Sequence, residues 1–308
     1  MTGPRASRAA AAARPWGAMD AGALALGLAF ALMWSSAFAS ARLIVTEAPP
    51  LTALALRFWI SGGLAIAIAA ALGQSPRLTR AQARATLVFG ICQNALYLGL
   101  NFVAMQTVEA SVAAIIASTM PLVVAGLGWA ALGQRVSALG MAGLMAGLAG
   151  VALIMGARVT EGADPTGLLL CVLGVLALSL ATLVARGASS GGNLLMVVGL
   201  QMLVGALALT VVAVPFEAAR GLAVAWSATL VAAFLYTTLV PGLAATVVWF
   251  VLVRRIGALR AATFHFLNPV LGVAIAALVL GERLGPWDAV GVVVVAVGVL
   301  MVQVSRQG

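Results

Sequence analysis

The sequence contains no lysine: all 17 of its basic residues are arginines. That excludes a phosphate-binding loop built on a lysine, a Schiff-base enzyme and a retinal-type attachment. Charge of either sign is scarce, at 8% of residues against 63% hydrophobic, whereas a soluble domain carries roughly 25% charged residues. So little polar surface cannot coat a water-soluble globule. The formal charge of +9 does not point to nucleic acid either, because the arginines are scattered over loop ends and never gather with interleaved aromatics on a polar domain. With two cysteines, Cys92 and Cys171, and a single histidine, His265, neither a disulfide framework nor a metal cluster is expected, and no cofactor is implied. Both cysteines lie in apolar runs and read as small buried hydrophobes.

What the chain has in quantity is apolar runs near 20 residues long, each able to cross roughly 30 Å of hydrocarbon. Charged or Pro/Gly-rich breaks divide them into ten predicted spans: 21–44, 52–72, 83–105, 110–132, 137–157, 166–185, 194–215, 227–253, 259–280 and 286–304. The expected fold is an all-α polytopic membrane protein of ten transmembrane helices, with the lipid bilayer as its solvent. Met1 to Trp16, with Arg5, Arg8 and Arg14, resembles the charged head of a signal peptide. The run that follows is too long for a cleaved core of roughly 7 to 15 residues, so it reads as span one, retained after an N-terminal segment 1–20. Connections are too short for a soluble catalytic domain.

Placing the N-terminus inside puts Arg5, Arg8, Arg14, Arg77, Arg80, Arg84, Arg135, Arg186, Arg254, Arg255, Arg260 and Arg306 on the cytoplasmic side and only Arg42, Arg158, Arg220 and Arg283 outside. Twelve against four is a strong positive-inside bias. The acids Glu47, Glu109, Glu161, Asp164, Glu217, Glu282 and Asp288 fall on the outer face. Both termini are then cytoplasmic.

Sliding the chain against itself by 148 residues superposes Leu132-Gly133-Gln134-Arg135 on Leu280-Gly281-Glu282-Arg283, Pro121 on Pro269, Gly143 on Gly291 and Gly150 on Gly298. The chain is read as two repeats, 21–157 and 166–304. Each has an odd number of spans, so the second enters the membrane opposite to the first. Inverted repeats of this kind are common in secondary transporters, which exchange inward- and outward-open states about a midplane site.

The residues Leu32-Met33-Trp34-Ser35-Ser36 in span one, Leu56-Arg57-Phe58 in span two and the repeated Pro-centred helix ending Gly281-Glu282-Arg283 resemble the drug/metabolite transporter superfamily, in particular its ten-helix EamA-type members. Gln134 departs from the acid usual there. The resemblance spans nearly the whole chain and implies a bacterial inner-membrane exporter of amino acids and related metabolites, most like the exporters of aromatic amino acids.

Several polar and aromatic side chains inside the spans are candidates for a substrate site. Pro121 and Pro269, near the middle of spans four and nine, each delete a backbone hydrogen bond, as a static kink or as paired hinges. Asn94, Tyr97 and Asn101 fall at i, i+3 and i+7, which sets them on one helical face, bonded between helices or walling a cavity for a zwitterion. His265 and Asn268 lie one turn apart beside Pro269. An ionisable group inside the membrane is a functional candidate by default, so His265 either bonds a neighbouring helix, holds a substrate carboxylate or carries a proton. Trp34, Tyr236 and Trp249 can face a cavity or pack on lipid and neighbours; the 148-residue shift matches Asn101 with Trp249, which favours the axis for both. Trp16, Trp226 and Trp287 sit near span ends as interfacial anchors. Arg57 lies about five residues inside span two, roughly 8 Å by helical rise: it snorkels to the outer interface, pairs with Glu47 or Glu109 as an outer gate, or binds a carboxylate.

No Asp or Glu falls in the middle of any predicted span, which disfavours export of cations on a buried acid. A pocket of aromatics, amides and one histidine suits an apolar or aromatic amino acid, moved by a monomer working by alternating access and compatible with gradient-driven uniport. The alternative is proton-coupled export of drugs or other small metabolites. A membrane-embedded serine hydrolase using His265 with Ser111 or Ser118 has no nucleophile motif behind it, and a selective channel would need charge rings that are not seen.

Overall fold

Apolar helices account for nearly all of the chain. The computed structural model describes residues 21–133, 136–185, 192–221, 224–256, 261, 263–283 and 285–305; the segment 1–20, with Trp16, and Gln134, Arg135, Arg186, Arg260 and Arg306 lie outside them. The helices are α1 (Ala21–Val45), α2 (Pro50–Ala71), α3 (Arg80–Ala104), α4 (Ala110–Ala117 and Met120–Leu132), α5 (Ala138–Thr160), α6 (Pro165–Ala185), α7 (Leu194–Ala218), α8 (Ala228–Leu239 continuing to Ile256), α9 (Thr263–Leu267 and Asn268–Leu280) and α10 (Pro286–Ser305). Among the described residues, eight helices are long and apolar enough to cross a membrane, and two shorter apolar ones fall in α9 and α10. The ends are set locally. Pro50, Pro165 and Pro286 occupy first turns, where a missing N–H costs nothing. Thr79 and Gln82 form a reciprocal capping box at the start of α3, and Ser137 and Ser227 cap α5 and α8.

Because successive helices alternate in direction, the bundle has a near face, where α1 begins, and a far face, where α1 ends. Two antiparallel pairs, α2 with α7 and α5 with α10, pack along their whole lengths. The α5–α10 crossing carries the signature of the duplication. A Cβ built on Gly143 would stand 2.7 Å from the Gly298 carbonyl oxygen, and one built on Gly150 would stand 3.1 Å from that of Gly291. The 148-residue shift exchanges those two contacts with each other, as a two-fold axis between the helices requires of a self-complementary interface.

Irregular backbone also repeats. The span four expected to bend at Pro121 is two helices: Ala110–Ala117 ends in a turn at Ser118–Thr119, and Pro121 sits in the first turn of the second helix. Pro121 has no N–H to offer the Ala117 carbonyl, while the Ser118 and Thr119 hydroxyls return to the carbonyls of Ala114 (2.7 Å) and Ile116 (2.6 Å). In α9 a tight 3₁₀ turn, Thr263–Leu267, precedes Asn268–Leu280, again with Pro269 in the first turn. Both second segments end on a left-handed glycine, Gly133 (φ 61°) and Gly281 (φ 68°). Wide π-helical turns occur at Gly90–Tyr97 in α3 and Val240–Ala244 in α8, equivalent places in the two halves.

Candidate functional site

These breaks and wide turns surround a central cavity of about 910 Å³. It opens at the near face past Gln82, Thr182 and Gly192. Both halves line it: Trp34, Asn94, Tyr97 and Pro121 from the first, Gln201, Trp249, His265 and Asn268 from the second. Among the described residues, no Asp or Glu lines it.

One wall is an aromatic cluster. Phe30 lies 4.8 Å from Trp249, 5.7 Å from Trp34 and 5.0 Å from His265, centroid to centroid, and the imidazole meets Phe30 and Trp34 nearly at right angles. Trp249 approaches His265 at 5.0 Å, also edge-on. Such edge-to-face pairs are favoured by the ring quadrupoles. The imidazole is held by polar contacts as well. Ser35 Oγ donates to Asn268 Oδ1 (3.3 Å), which turns Asn268 Nδ2 toward His265 Nδ1 (3.0 Å); Nδ1 therefore accepts and the ring proton sits on Nε2. Ser118 reaches the same cavity, but its hydroxyl donates to the Ala114 carbonyl.

The opposite wall comes from the π-helical turn of α3. Asn94, 4% exposed, donates from Nδ2 to the Gln201 carbonyl (2.9 Å), tying α3 to α7. Tyr97 faces both this cavity and a smaller chamber beyond it. Asn101, a further turn along α3, lines only the chamber. Tyr236 stands apart, 39% exposed and hydrogen-bonded to Ser36 Oγ (2.8 Å). Arg57 does not reach the interface. It is 6% exposed, its Nε has no hydrogen-bond partner among the described residues, and it lies 5.2 Å from the neighbouring Phe58 ring.

Neither carboxylate suggested as its partner meets Arg57. Glu47 accepts from the Ser227 hydroxyl and its carbonyl from Ala225 N–H (2.8 Å), joining the α1–α2 loop to α8. Glu109 pairs with Arg158 (2.8 Å), which also holds Asp288 in a two-pronged contact of 3.0 and 2.7 Å. Glu282 at the end of α9 receives the N–H groups of Ala110 and Ser111 (2.8 and 2.9 Å), and Glu217 at the end of α7 receives those of Leu51 and Thr52 (2.8 and 2.9 Å). Helix N-termini favour such anionic caps. These contacts seal the far face; sequence reading had placed the acids there without showing that they cap other helices. Burial pushes the Glu109 carboxyl up, Arg158 opposes that shift, and Glu282 and Asp288 add to it. The backbone N–H of Thr166 and the Thr107 hydroxyl hold Asp164 below its usual value.

A duplicated helical membrane bundle with broken helices around a cavity open at one face is the architecture of a carrier. The chain belongs to the EamA-like transporter family, whose model matches residues 21–156 and again 165–304. It is similar to the Bacillus subtilis (strain 168) protein named uncharacterized transporter YvbV, at 25% identity over 92% of each chain. A crystal structure 22% identical in sequence shares the fold with a TM-score of 0.65, covering 94% of this chain and 99% of that one.

Proposed function

We propose that the protein is a bacterial inner-membrane secondary transporter that exports aromatic or apolar amino acids, or closely related metabolites, by alternating access. The single observation that carries this reading is the cavity, lined by both halves, rich in aromatic rings and amides, without a carboxylate among its described lining residues and open at one face. A pocket that combines apolar surface with a few convergent polar groups fits a small amphiphilic molecule. The arginine-rich near face is the cytoplasmic one by the positive-inside bias, so the conformation described here is the inward-open one that loads an exporter. Rocking of the two halves about the α5–α10 axis would open the far face in turn. The lack of a buried acid in the cavity favours cargo moving down its own gradient over coupling to protons.

Liposomes containing the purified protein and loaded with unlabelled phenylalanine should take up labelled phenylalanine or tryptophan saturably, and faster than empty-loaded liposomes. Uptake that rises linearly with concentration would identify a channel. If neither amino acid moves while a cationic drug does, the cargo assignment is wrong; if uptake follows an imposed proton gradient, the uncoupled mechanism is wrong.

A further inference from the structure

Beyond the aromatic cavity, toward the far face, lies a second space of about 60 Å³, bounded by Arg57, Asn101, Phe102, Met105 and Pro241. Trp34, Phe38, Gln93 and Tyr97 border both spaces, so a molecule stacked on Trp34 can extend one end into the chamber. A site that holds one water needs roughly 10–15 Å³ by this measure, and the chamber therefore accommodates a group of a few heavy atoms.

Two polar groups in it are buried and incompletely satisfied among the described residues. Arg57 is 6% exposed with Nε unpartnered, and no carboxylate pairs with it among the described residues. Asn101 is 2% exposed; its Nδ2 donates to the Tyr97 carbonyl (2.8 Å), which fixes the amide, and its Oδ1 is left without a donor. A cation and an acceptor withdrawn from water without partners are each costly. The packing makes room for both. A Cβ on Gly242, within the π-helical turn of α8, would stand 3.3 Å from Arg57 Nη2, and one on Gly174 of α6 would stand 2.7 Å from Asn101 Nδ2.

Resting on the amino-acid reading above, we infer that this chamber receives the head group of an α-amino acid, with Arg57 donating to the carboxylate and Asn101 Oδ1 accepting from the ammonium, while the side chain stays among Trp34, Phe38 and the aromatic cavity. A guanidinium offers the paired N–H geometry that a carboxylate fits. The carrier then selects for the zwitterionic head as well as for the ring. An amine without a carboxylate leaves Arg57 buried and alone; an acid without an ammonium leaves Asn101 Oδ1 so.

The test is competition against labelled phenylalanine on the full-length protein in nanodiscs, with 2-phenylethylamine lacking the carboxylate and 3-phenylpropanoate lacking the ammonium. Each lost charge-assisted bond should weaken binding by about tenfold to a hundredfold, with the amine the weaker competitor. Arg57→Gln should lower affinity for phenylalanine and 3-phenylpropanoate by about tenfold or more and leave 2-phenylethylamine within about twofold, with Arg57→Lys intermediate. Asn101→Ser should weaken the two ammonium-bearing ligands and spare 3-phenylpropanoate. If the wild-type protein binds 2-phenylethylamine as tightly as phenylalanine, the inference is overturned whether or not any variant folds, and the carrier reading stands. If the wild-type protein moves other solutes but binds no phenylalanine, the cargo reading fails and takes this assignment with it.

Discussion

Replacing Glu282 by glutamine tests whether the far-face contacts are a lock that opens during transport or static cement. Among the described residues, Glu282 is the acceptor for the N–H groups of Ala110 and Ser111, the first two residues of α4, at 2.8 and 2.9 Å. Both residues are fully buried. Glutamine keeps one oxygen, but its amide presents N–H to the second N–H, which is left buried and unpaired at a cost of about 1–3 kcal/mol. Loss of the charge at the helix N-terminus adds about 0.3–1 kcal/mol. A total of about 1.3–4 kcal/mol, at 1.36 kcal/mol per decade, shifts an equilibrium between far-closed and far-open states by about 10- to 900-fold. The assay is the rate at which a membrane-impermeant thiol reagent, added on the far side, modifies Leu98→Cys on the chamber wall, in a background of Cys92→Ala and Cys171→Ala. Glu282→Gln should raise that rate by about tenfold or more, since the far-open population rises with the equilibrium. An unchanged labelling rate together with a lower melting temperature would show that the cap persists in both states, and the lock would be refuted.

Gly298→Val places a side chain 2.6 Å from Gly147 N and 2.7 Å from Gly143 O, backbone atoms that cannot swing aside; thermal denaturation should show destabilisation of about 1–3 kcal/mol or more. His265→Ala removes three ring contacts worth about 0.5–1.5 kcal/mol each. It should lower the melting temperature and change cargo affinity while carriage persists, whereas total loss of turnover with unchanged binding would mark the histidine as a chemical participant. Glu109 holds its proton more tightly in the folded protein than free in solution, so its contribution to stability declines as pH rises from the ordinary 4.5 through the raised value. Glu109→Gln should abolish that decline in a melting-temperature profile against pH. Asp164 is shifted the other way: its contribution is present above the ordinary 3.8 and lost as pH falls through the depressed value, so Asp164→Asn should flatten the acid side of the same profile.

The spans were legible because hydrocarbon thickness sets a length and backbone satisfaction demands a helix. The predicted 110–132, for instance, coincides at both ends with the observed α4. What the helices do internally was not legible. A proline announces one missing donor but not whether the chain answers with a bend or a break, and in α4 the answer depends on Ser118 and Thr119 returning their hydroxyls to carbonyls behind them. The π-helical turn at Gly90–Tyr97 is invisible to a 3.6-residue periodicity. Asn94 and Asn101, two turns apart along the axis, line successive spaces, and Tyr97 between them borders both. His265, Asn268, Trp34 and Trp249, which line the cavity, were legible as candidates because an ionisable or amphipathic group inside a membrane needs a reason to be there. Arg57 was harder, since depth along one helix cannot distinguish a side chain that reaches water from one enclosed by a neighbouring helix, here at Gly242.

The duplication also shows where the two halves have stopped being equal. The α2–α7 pair is capped reciprocally: Glu217 receives the first N–H groups of α2, and at the other end Gln74 receives Met196 N–H at 3.1 Å. A shift of 144 residues takes Thr52 to Met196 and Arg57 to Gln201, while the 148-residue shift takes Gln134 to Glu282. In this pair of caps the far-side member, Glu217, is a carboxylate and the near-side member, Gln74, its neutral amide, and the place equivalent to Arg57 holds the uncharged Gln201. A charged acceptor holds a helix N-terminus more strongly than an amide does, so a structure that would otherwise be symmetric in its two states is weighted toward the one closed at the far face. The same asymmetry leaves the guanidinium on the sealed side, where cargo reaches it only after passing the aromatic wall. An anionic head drawn onto Arg57 therefore lies against the gate that must open to release it, and only a cargo that satisfies the chamber stabilises the protein at that step.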